Sequence, residues 1–559
     1  WEEHPYEWVE GRRMSILREF SKGPFDWFVS VVDLLPQTGG GTKLVHKVMV
    51  QPRNVLGRLI AAFEIGMKAS RSLTRVYQQV DGFIAGGKHR DPAADAFRKP
   101  ASLGSRRRNR LQQRLERMRD RDIDPAVIET LAQFLEYGSD QDVSRIRPKA
   151  FASRFGLDSA QVIRACLHAT REGLLVLLWD ILCPSCQIPA NVQESLAALQ
   201  AHGHCEACNV DFELDFANSI EMIFRAHPEI RDVEVRTYCI GGPAFSAHVV
   251  AQTRIAPGER FQIEVDLAEG AYRLRGPQLP YAVELRTSRT SAIGRWEVAL
   301  SKPPPREIVP TLKVGSQVIT LLNDGPTELL VRLERVAPRH DAVTAAEASS
   351  LPLFRELLPD QVLSAGQMVS LATVTLLSVQ LDRAADLYAE LGDGAAFAVI
   401  RAGLVALEQS ITKHSGAVVK FVGEGILATF NDPLQAATAS VELSRALDEL
   451  GGDHPLHVRA ALHTGSAMVT TFNDRLDYFG STVHATARLL ELACPGDVMT
   501  TNAITSHPEI SRLLARRDWQ VEVIADEAAG GIASASLIVE RCRPMVSPPF
   551  VGAEDRGRK

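Results

Sequence analysis

A chain of 559 residues exceeds what one hydrophobic core fills and predicts about three to five domains. With 45% hydrophobic and 23% charged residues it is ordinary globular material, and a net charge of -6 excludes a global argument for nucleic acid or an anionic membrane as partner. No unbroken apolar run reaches the ~18 residues that a bilayer-spanning helix needs. The chain opens at Trp1, without Met and inside strand-like sequence, which predicts further sequence upstream and leaves a signal peptide or anchor there open. Four of the eight Cys form a metal-type pattern and the others are scattered, so the expected location is the reducing cytoplasm.

Residues 1–90 read as strand, turn, strand and long helix. Glu7 to Phe20 and Lys43 to Val50 are the strands, Gly39-Gly40-Gly41 is the turn, and Val55 to Ile84 carries apolar residues at helical spacing. A curved sheet closing on one C-terminal helix resembles the end of a START-type helix-grip fold. The resemblance implies a hydrophobic ligand; a structural domain with a filled core is the other reading, since no polar anchor for a ligand is identifiable. Residues 91–122 are basic, with ten Lys or Arg against two acidic residues from Arg98 to Arg121. Without interleaved aromatics this run, including Arg106-Arg107-Arg108, reads as a solvated helix or linker, and RNA or phospholipid headgroups are the disfavoured alternative.

Residues 123–180 read as a helical, winged-helix-like module with a boundary at Pro148. Its clearest helix runs from Asp158-Ser159 to Gly173, with Val162, Cys166, Ala169 and Leu174 inward, and Leu175 to Leu182 follows as a strand. Only Arg164, His168 and Arg171 are available to read DNA, so a packing module is the expectation. Next come Cys183-Pro184-Ser185-Cys186, eighteen residues, and Cys205-Glu206-Ala207-Cys208. Two such knuckles supply four thiolates for a tetrahedral structural Zn²⁺ with no open position, a zinc-ribbon-like module at 181–215; two dithiol redox pairs are the alternative. Residues 216–345 read as an antiparallel β-sandwich with strands at His248 to Arg254, Arg260 to Asp266, Tyr272 to Arg275, Trp296 to Leu300, Gln317 to Leu322 and Leu329 to Leu333. Residues 346–372 read as a linker and 546–559 as a polar tail.

Residues 373–545 read as helices packed on a sheet, which makes the whole chain multidomain α+β. The order is strand (Thr373 to Leu381), helices (Arg383 to Ser415), hairpin (Ala417 to Phe430), helix (Pro433 to Leu450), strands (His457 to Leu462 and Ala467 to Phe472) and helix (Gly480 to Leu492). The hairpin pauses at Gly423-Glu424-Gly425 and presents one carboxylate at its tip. Together with Leu462-His463-Thr464-Gly465, Arg475-Leu476-Asp477-Tyr478-Phe479-Gly480, Val483-His484-Ala485-Thr486-Ala487-Arg488-Leu489 and Pro495-Gly496-Asp497, this stretch resembles the catalytic domain of class III nucleotidyl cyclases. The resemblance implies a ferredoxin-like core, conversion of ATP to cyclic AMP and pyrophosphate, Mg²⁺ or Mn²⁺ at the site, and a dimer.

Carried over residue by residue, the family's two metal aspartates fall on Gln380 and Glu424. The first change leaves a neutral amide where Mg²⁺ or Mn²⁺ needs an anion, and the second extends the carboxylate by one methylene. Asp382, two residues beyond Gln380, faces the same side of a continued strand. Lys420 and Asp477 match the family's purine-edge pair, in a form suited to adenine. Arg488 matches the arginine that stabilises the transferring phosphate, and His484 stands where the family has an asparagine that orients the ribose. The family's site forms across a dimer, one subunit giving the metal carboxylates and the other the base-reading set. This chain keeps mainly the second set, which implies a homodimer or a heterodimer with a metal-bearing cyclase domain. Three functions follow: a weakened cyclase, a degenerate nucleotide-binding or regulatory subunit, or a ligand or nucleic-acid sensor.

Overall fold

The computed structural model describes residues 1–87, 103–184, 187, 189–205, 210–216, 219–233, 248–279, 281–301, 309–336, 341–450, 454–517, 519–524 and 538–544. At the N-terminus four strands, not two, form an antiparallel meander: Glu7–Val9, Arg13–Glu19, Phe25–Pro36 and Thr42–Pro52. Gly11, at φ +66°, turns the chain inside the predicted Glu7 to Phe20 strand. Phe25–Pro36 escaped the sequence reading because its run Val-Ser-Val-Val-Asp-Leu-Leu lacks strict alternation. The helix from Val55–Ile60 through a wide-turn segment Ala61–Ala69 to Ser70–Ala85 buries only Gly57, and Leu56, Leu59, Phe63 and Met67 are exposed. The helix reaches the sheet through the Tyr77–His46 hydrogen bond at 2.8 Å, while these apolar side chains stay uncovered.

The meander continues into the next β region, because Ala251 pairs with Val9. There Val249–Ile255, Gly270–Arg275, Val283–Ser288, Thr311–Lys313 and Leu329–Arg335 extend the same sheet, and Arg260–Leu267, Arg295–Ala299 and Gly315–Leu322 form a second. Ile263, Val265, Leu274, Leu285, Ile319 and Val331 fill the space between them. The arrangement is mixed, not purely antiparallel: Arg295–Ala299 runs parallel to Gly315–Leu322, and Thr311–Lys313 parallel to Val283–Ser288.

Of the two readings of the basic segment, its described part is a helix, and that helix is packed. Ser105–Arg119 buries Leu111, Leu115 and Met118 along one stripe, while Arg108 pairs with Glu136 at 2.6 Å and Arg114 binds the Gly173 carbonyl and Glu229. Helices Pro125–Tyr137, Asp140–Ser144, Pro148–Phe155 and Ser159–Arg171 follow, then strand Leu175–Leu182. That strand pairs antiparallel with Ile220–Ala226, so the chain after 216 returns to this module before the β region begins. The segment 346–372 is no free linker either. Its helices Ala345–Ser349 and Pro352–Leu357 seat Phe354 edge-on to the buried Trp179, whose indole N–H donates to Gln361 at 2.9 Å. One apolar core runs from Leu111 through Trp179 and Phe354 to Tyr478.

The C-terminal unit comprises β1 (Met368–Asp382), α1 (Ala384–Leu391), α2 (Asp393–Lys413), β2 (Ala417–Val422), β3 (Gly425–Phe430), α3 (Pro433–Asp448), β4 (His457–Phe472), β5 (Arg475–Phe479), α4 (Ser481–Leu492), β6 (Val498–Thr501), α5 (Asn502–Thr505), α6 (Pro508–Arg516), β7 (Trp519–Val523) and β8 (Val539–Pro544). Strand order is β2-β3-β1-β4-β6-β8-β7, with β5 on β4. The two strands expected between 457 and 472 are one continuous β4. Leu377, Val379 and Leu381 of β1 pack with α1, α2 and α3, and Val374 and Leu376 join the core shared with the helical module. By length and composition α2 passes for a membrane span, with mean hydropathy 1.3, although no unbroken apolar run was found in the sequence. Its Ala396, Ile400, Leu407 and Ile411 are buried against the sheet, as in a core helix.

Candidate functional site

Alternation along β1 sends Leu381 toward the helices and leaves Gln380 and Asp382 half-buried on the other face. The β2–β3 hairpin turns at Gly423, φ +57°, and Gly425 sits opposite Gln380. A Cβ on Gly425 would lie 2.4 Å from the Val379 carbonyl oxygen, so glycine alone lets the hairpin approach this closely. The Leu381 N–H donates to the Glu424 carbonyl at 3.0 Å, which brings the tip alongside the end of β1. Gln380, Asp382 and Glu424 are thus neighbours, and among the described residues neither carboxylate is in an ion pair. The Gln380 amide oxygen accepts from Arg459 Nη2 at 3.2 Å across β1 and β4. Arg459 was not singled out from sequence; only the cross-strand register with Gln380 reveals it.

The second pair is formed directly. Lys420 Nζ donates to Asp477 Oδ2 at 2.7 Å, with the lysine side chain 39% and the aspartate 7% exposed. Asp477 Oδ1 accepts from the Tyr478 backbone N–H at 2.8 Å, so both oxygens are directed. The Phe479 ring lies 5.5 Å from Lys420 Nζ, and Tyr478 is anchored by a 3.0 Å hydrogen bond with Ser349.

Helix α4 starts at Gly480, φ +123°, and lies close on β4, because a Cβ on Gly465 would fall 2.5 Å from Thr482 Oγ1. His484 and Arg488 share one exposed face, as four-residue spacing dictates. Arg488 pairs with Glu491 of its own helix at 2.8 Å. Among the described residues neither is hydrogen-bonded or ion-paired to Lys420, Asp477 or Glu424. His463 of the same motif is buried, with Nδ1 3.0 Å from Thr501 Oγ1, and burial holds its pKa below the ordinary histidine value. It is a packing residue.

Cys183 follows strand Leu175–Leu182, and Cys205 ends strand His202–Cys205 in a hairpin with Val210–Glu213; both are buried. Cys186 and Cys208 lie outside the described residues. No cluster of three His, Cys, Asp or Glu able to hold a metal occurs among the described residues. At the N-terminus a polar chain absent from the sequence reading appears: Ser30 Oγ is 2.8 Å from His46 Nε2, and Tyr77 OH is 2.8 Å from His46 Nδ1. Burial lowers the His46 pKa and raises that of Tyr77. The three residues come from two strands and a helix, a juxtaposition without a sequence signal.

A family model described as a family of unknown function, DUF5939, matches residues 109–238, the helical module with its cysteines. No curated protein matches the chain. Among solved structures it is similar to a Trypanosoma brucei adenylate cyclase (18% identity, 31% of this chain and 89% of that one, TM-score 0.27). It is similar as well to the guanylyl cyclase Cya2 (21% identity, 33% and 97%, TM-score 0.27). A third is the adenylyl cyclase CyaB from P. aeruginosa (19% identity, 33% and 100%, TM-score 0.26). These likenesses are confined to about a third of the chain and are cyclase structures in each case.

Proposed function

We propose that the C-terminal unit is a cyclase-like site that binds a purine nucleoside triphosphate and turns it over slowly to a cyclic nucleotide and pyrophosphate. The observation that carries this reading is the Lys420–Asp477 pair at 2.7 Å, on the same unit as the Glu424 hairpin tip. On this reading the Lys420 ammonium donates to a purine ring nitrogen and the Asp477 carboxylate accepts from the exocyclic amine, which favours adenine. Arg459 and Arg488 offer guanidinium forks to the phosphates, and Arg488 must first leave Glu491. His484 faces the ribose in place of an amide.

Asp382 and Glu424 would hold one Mg²⁺ or Mn²⁺, since their carboxylates are uncommitted, but the Gln380 oxygen is engaged by Arg459 and a pair of ions does not fit. Such an ion supplies Lewis-acid stabilisation of the phosphoryl oxygens. We assign Cys183, Cys186, Cys205 and Cys208 to a structural Zn²⁺, tested by metal content of the purified protein before and after Cys183→Ser.

Cyclic nucleotide production by the whole chain with ATP or GTP and excess Mn²⁺ tests the reading. Product above background, lost in Lys420→Ala and Arg488→Ala, supports it; absence of both product and nucleotide binding overturns it. The incomplete carboxylate set favours a second reading, a nucleotide-binding or regulatory subunit paired with a metal-bearing cyclase domain. Activity that arises only on mixing with such a domain would select it.

A further inference from the structure

The helix from Val55 to Ala85 leaves one side open to water, and the residues along that side fall into order. Val55, Leu59, Phe63, Met67, Arg71 and Arg75 follow one another at four-residue spacing, and all six are exposed. In an α-helix residues four apart drift by about 40° around the axis, so such a row winds off one face. The wide-turn segment Ala61–Ala69 holds more residues per turn, steps the row back and keeps it on one side. Phe63 and Met67 border the same surface hollow as Lys68, Arg71 and Arg75, which sets the apolar and the cationic stretch next to each other. The opposite side carries the half-buried Ile60, Ile65, Leu73 and Val76, and Tyr77 there is hydrogen-bonded to His46 of the sheet.

Among the described residues neither stretch is matched by the protein itself. The four apolar side chains of the row are 49–72% exposed. Arg71 and Arg75, one turn apart, are in no ion pair among the described residues, and like charges at this spacing repel. Glu64, the one acidic residue between Val55 and Arg75, is engaged by Lys68 at 2.9 Å, and Arg58 adds a cation near the apolar end. The chain as a whole has a net charge of -6, yet this face is positive. We propose that it docks on an anionic lipid bilayer. Leu59, Phe63 and Met67 enter the boundary between headgroups and acyl chains, while Arg71 and Arg75 pair with the anionic headgroups. A bilayer covers a convex helix face along its whole length, apolar and cationic parts together, without a shaped groove. The face lies outside the cyclase-like unit.

The test is cosedimentation of the whole chain with vesicles of phosphatidylcholine that carry phosphatidylserine as about a third of the lipid, against vesicles of phosphatidylcholine alone. Saturable binding to the anionic vesicles is expected, about tenfold or more stronger than to the neutral ones and weakened as salt rises from about 0.1 to about 0.5 M. Leu59→Asp with Phe63→Asp should abolish it, and Arg71→Gln with Arg75→Gln should weaken it about twentyfold, at roughly fivefold per cation. All four replaced side chains are exposed, so both variants should keep the wild-type unfolding midpoint and, by light scattering, the wild-type mass. No binding to anionic vesicles, equal binding to neutral ones, or full binding by the Leu59→Asp, Phe63→Asp chain would each overturn the proposal. A lower mass of that chain would overturn it as well, because a second copy would then be what covers the face.

Discussion

Two ends of the C-terminal unit are built to different standards. At Lys420–Asp477 every charged atom has a placed partner, and the next residue, Tyr478, is locked into the core by Ser349. At Gln380, Asp382 and Glu424 the backbone is as tightly positioned, through Gly425 and the Leu381–Glu424 hydrogen bond, yet the side chains are a neutral amide held by Arg459 and two uncommitted carboxylates. Backbone placement is therefore equally close at both ends, and only at the Lys420–Asp477 end are the side chains tied to one another. On the proposed reading, recognition and reaction are separable in this unit.

The largest change should come from Gly425→Ala, whose Cβ meets the Val379 carbonyl at 2.4 Å. Forcing it in should cost about 1–3 kcal/mol or more and part the hairpin from β1, seen as a lower denaturation midpoint. It breaks the comparison by removing the shared scaffold. Next, Asp477→Ala leaves Lys420 without its partner and should weaken nucleotide binding about tenfold or more, at a stability cost of ~1 kcal/mol because the lysine is partly solvated. Replacing Gln380 and Glu424 by aspartate together sharpens the contrast from the other side: Mn²⁺-dependent turnover should rise at least about tenfold while nucleotide affinity changes little. A rise in affinity without turnover would count against the metal end as the weak one. A smaller effect is expected from pH. Burial depresses the His463 pKa, so the folded state stays neutral while the unfolded chain gains a proton. Its contribution is complete above about 6.5 and is lost as pH falls from there toward the depressed value, a slope that His463→Gln should flatten in unfolding titrations. Last, Glu491→Ala frees Arg488 and should alter turnover a few-fold with stability within about 0.5 kcal/mol.

Much of the C-terminal order was legible because its strands and helices carry clean periodicity and its glycines mark real turns, as at Gly423 and Gly480. The Lys420–Asp477 pairing was legible only through the motif, since 57 residues separate the two. Arg459 and the Ser30–His46–Tyr77 chain were not legible, because each owes its place to register or packing between distant segments. The basic helix misled for a related reason. Its composition advertises charge, while Leu111, Leu115 and Met118 spaced along one face decide where it lies. The supposed linker misled because its two short helices, with Phe354 as their one aromatic, carry little periodicity, although that ring sits deep in the core.

The continuous core between the helical module and β1 also sets where the protein can be cut. Phe216 N–H donates to the Ser370 carbonyl, and Gln367 to the Leu199 carbonyl, so the first residues of β1 are stitched to the module upstream. A fragment beginning at Thr373 would lose Val369 and Leu371 and leave Val374, Leu376 and Tyr478 facing water. Such a fragment should be sticky and poorly soluble on its own, and the intact chain should melt across this junction in one step.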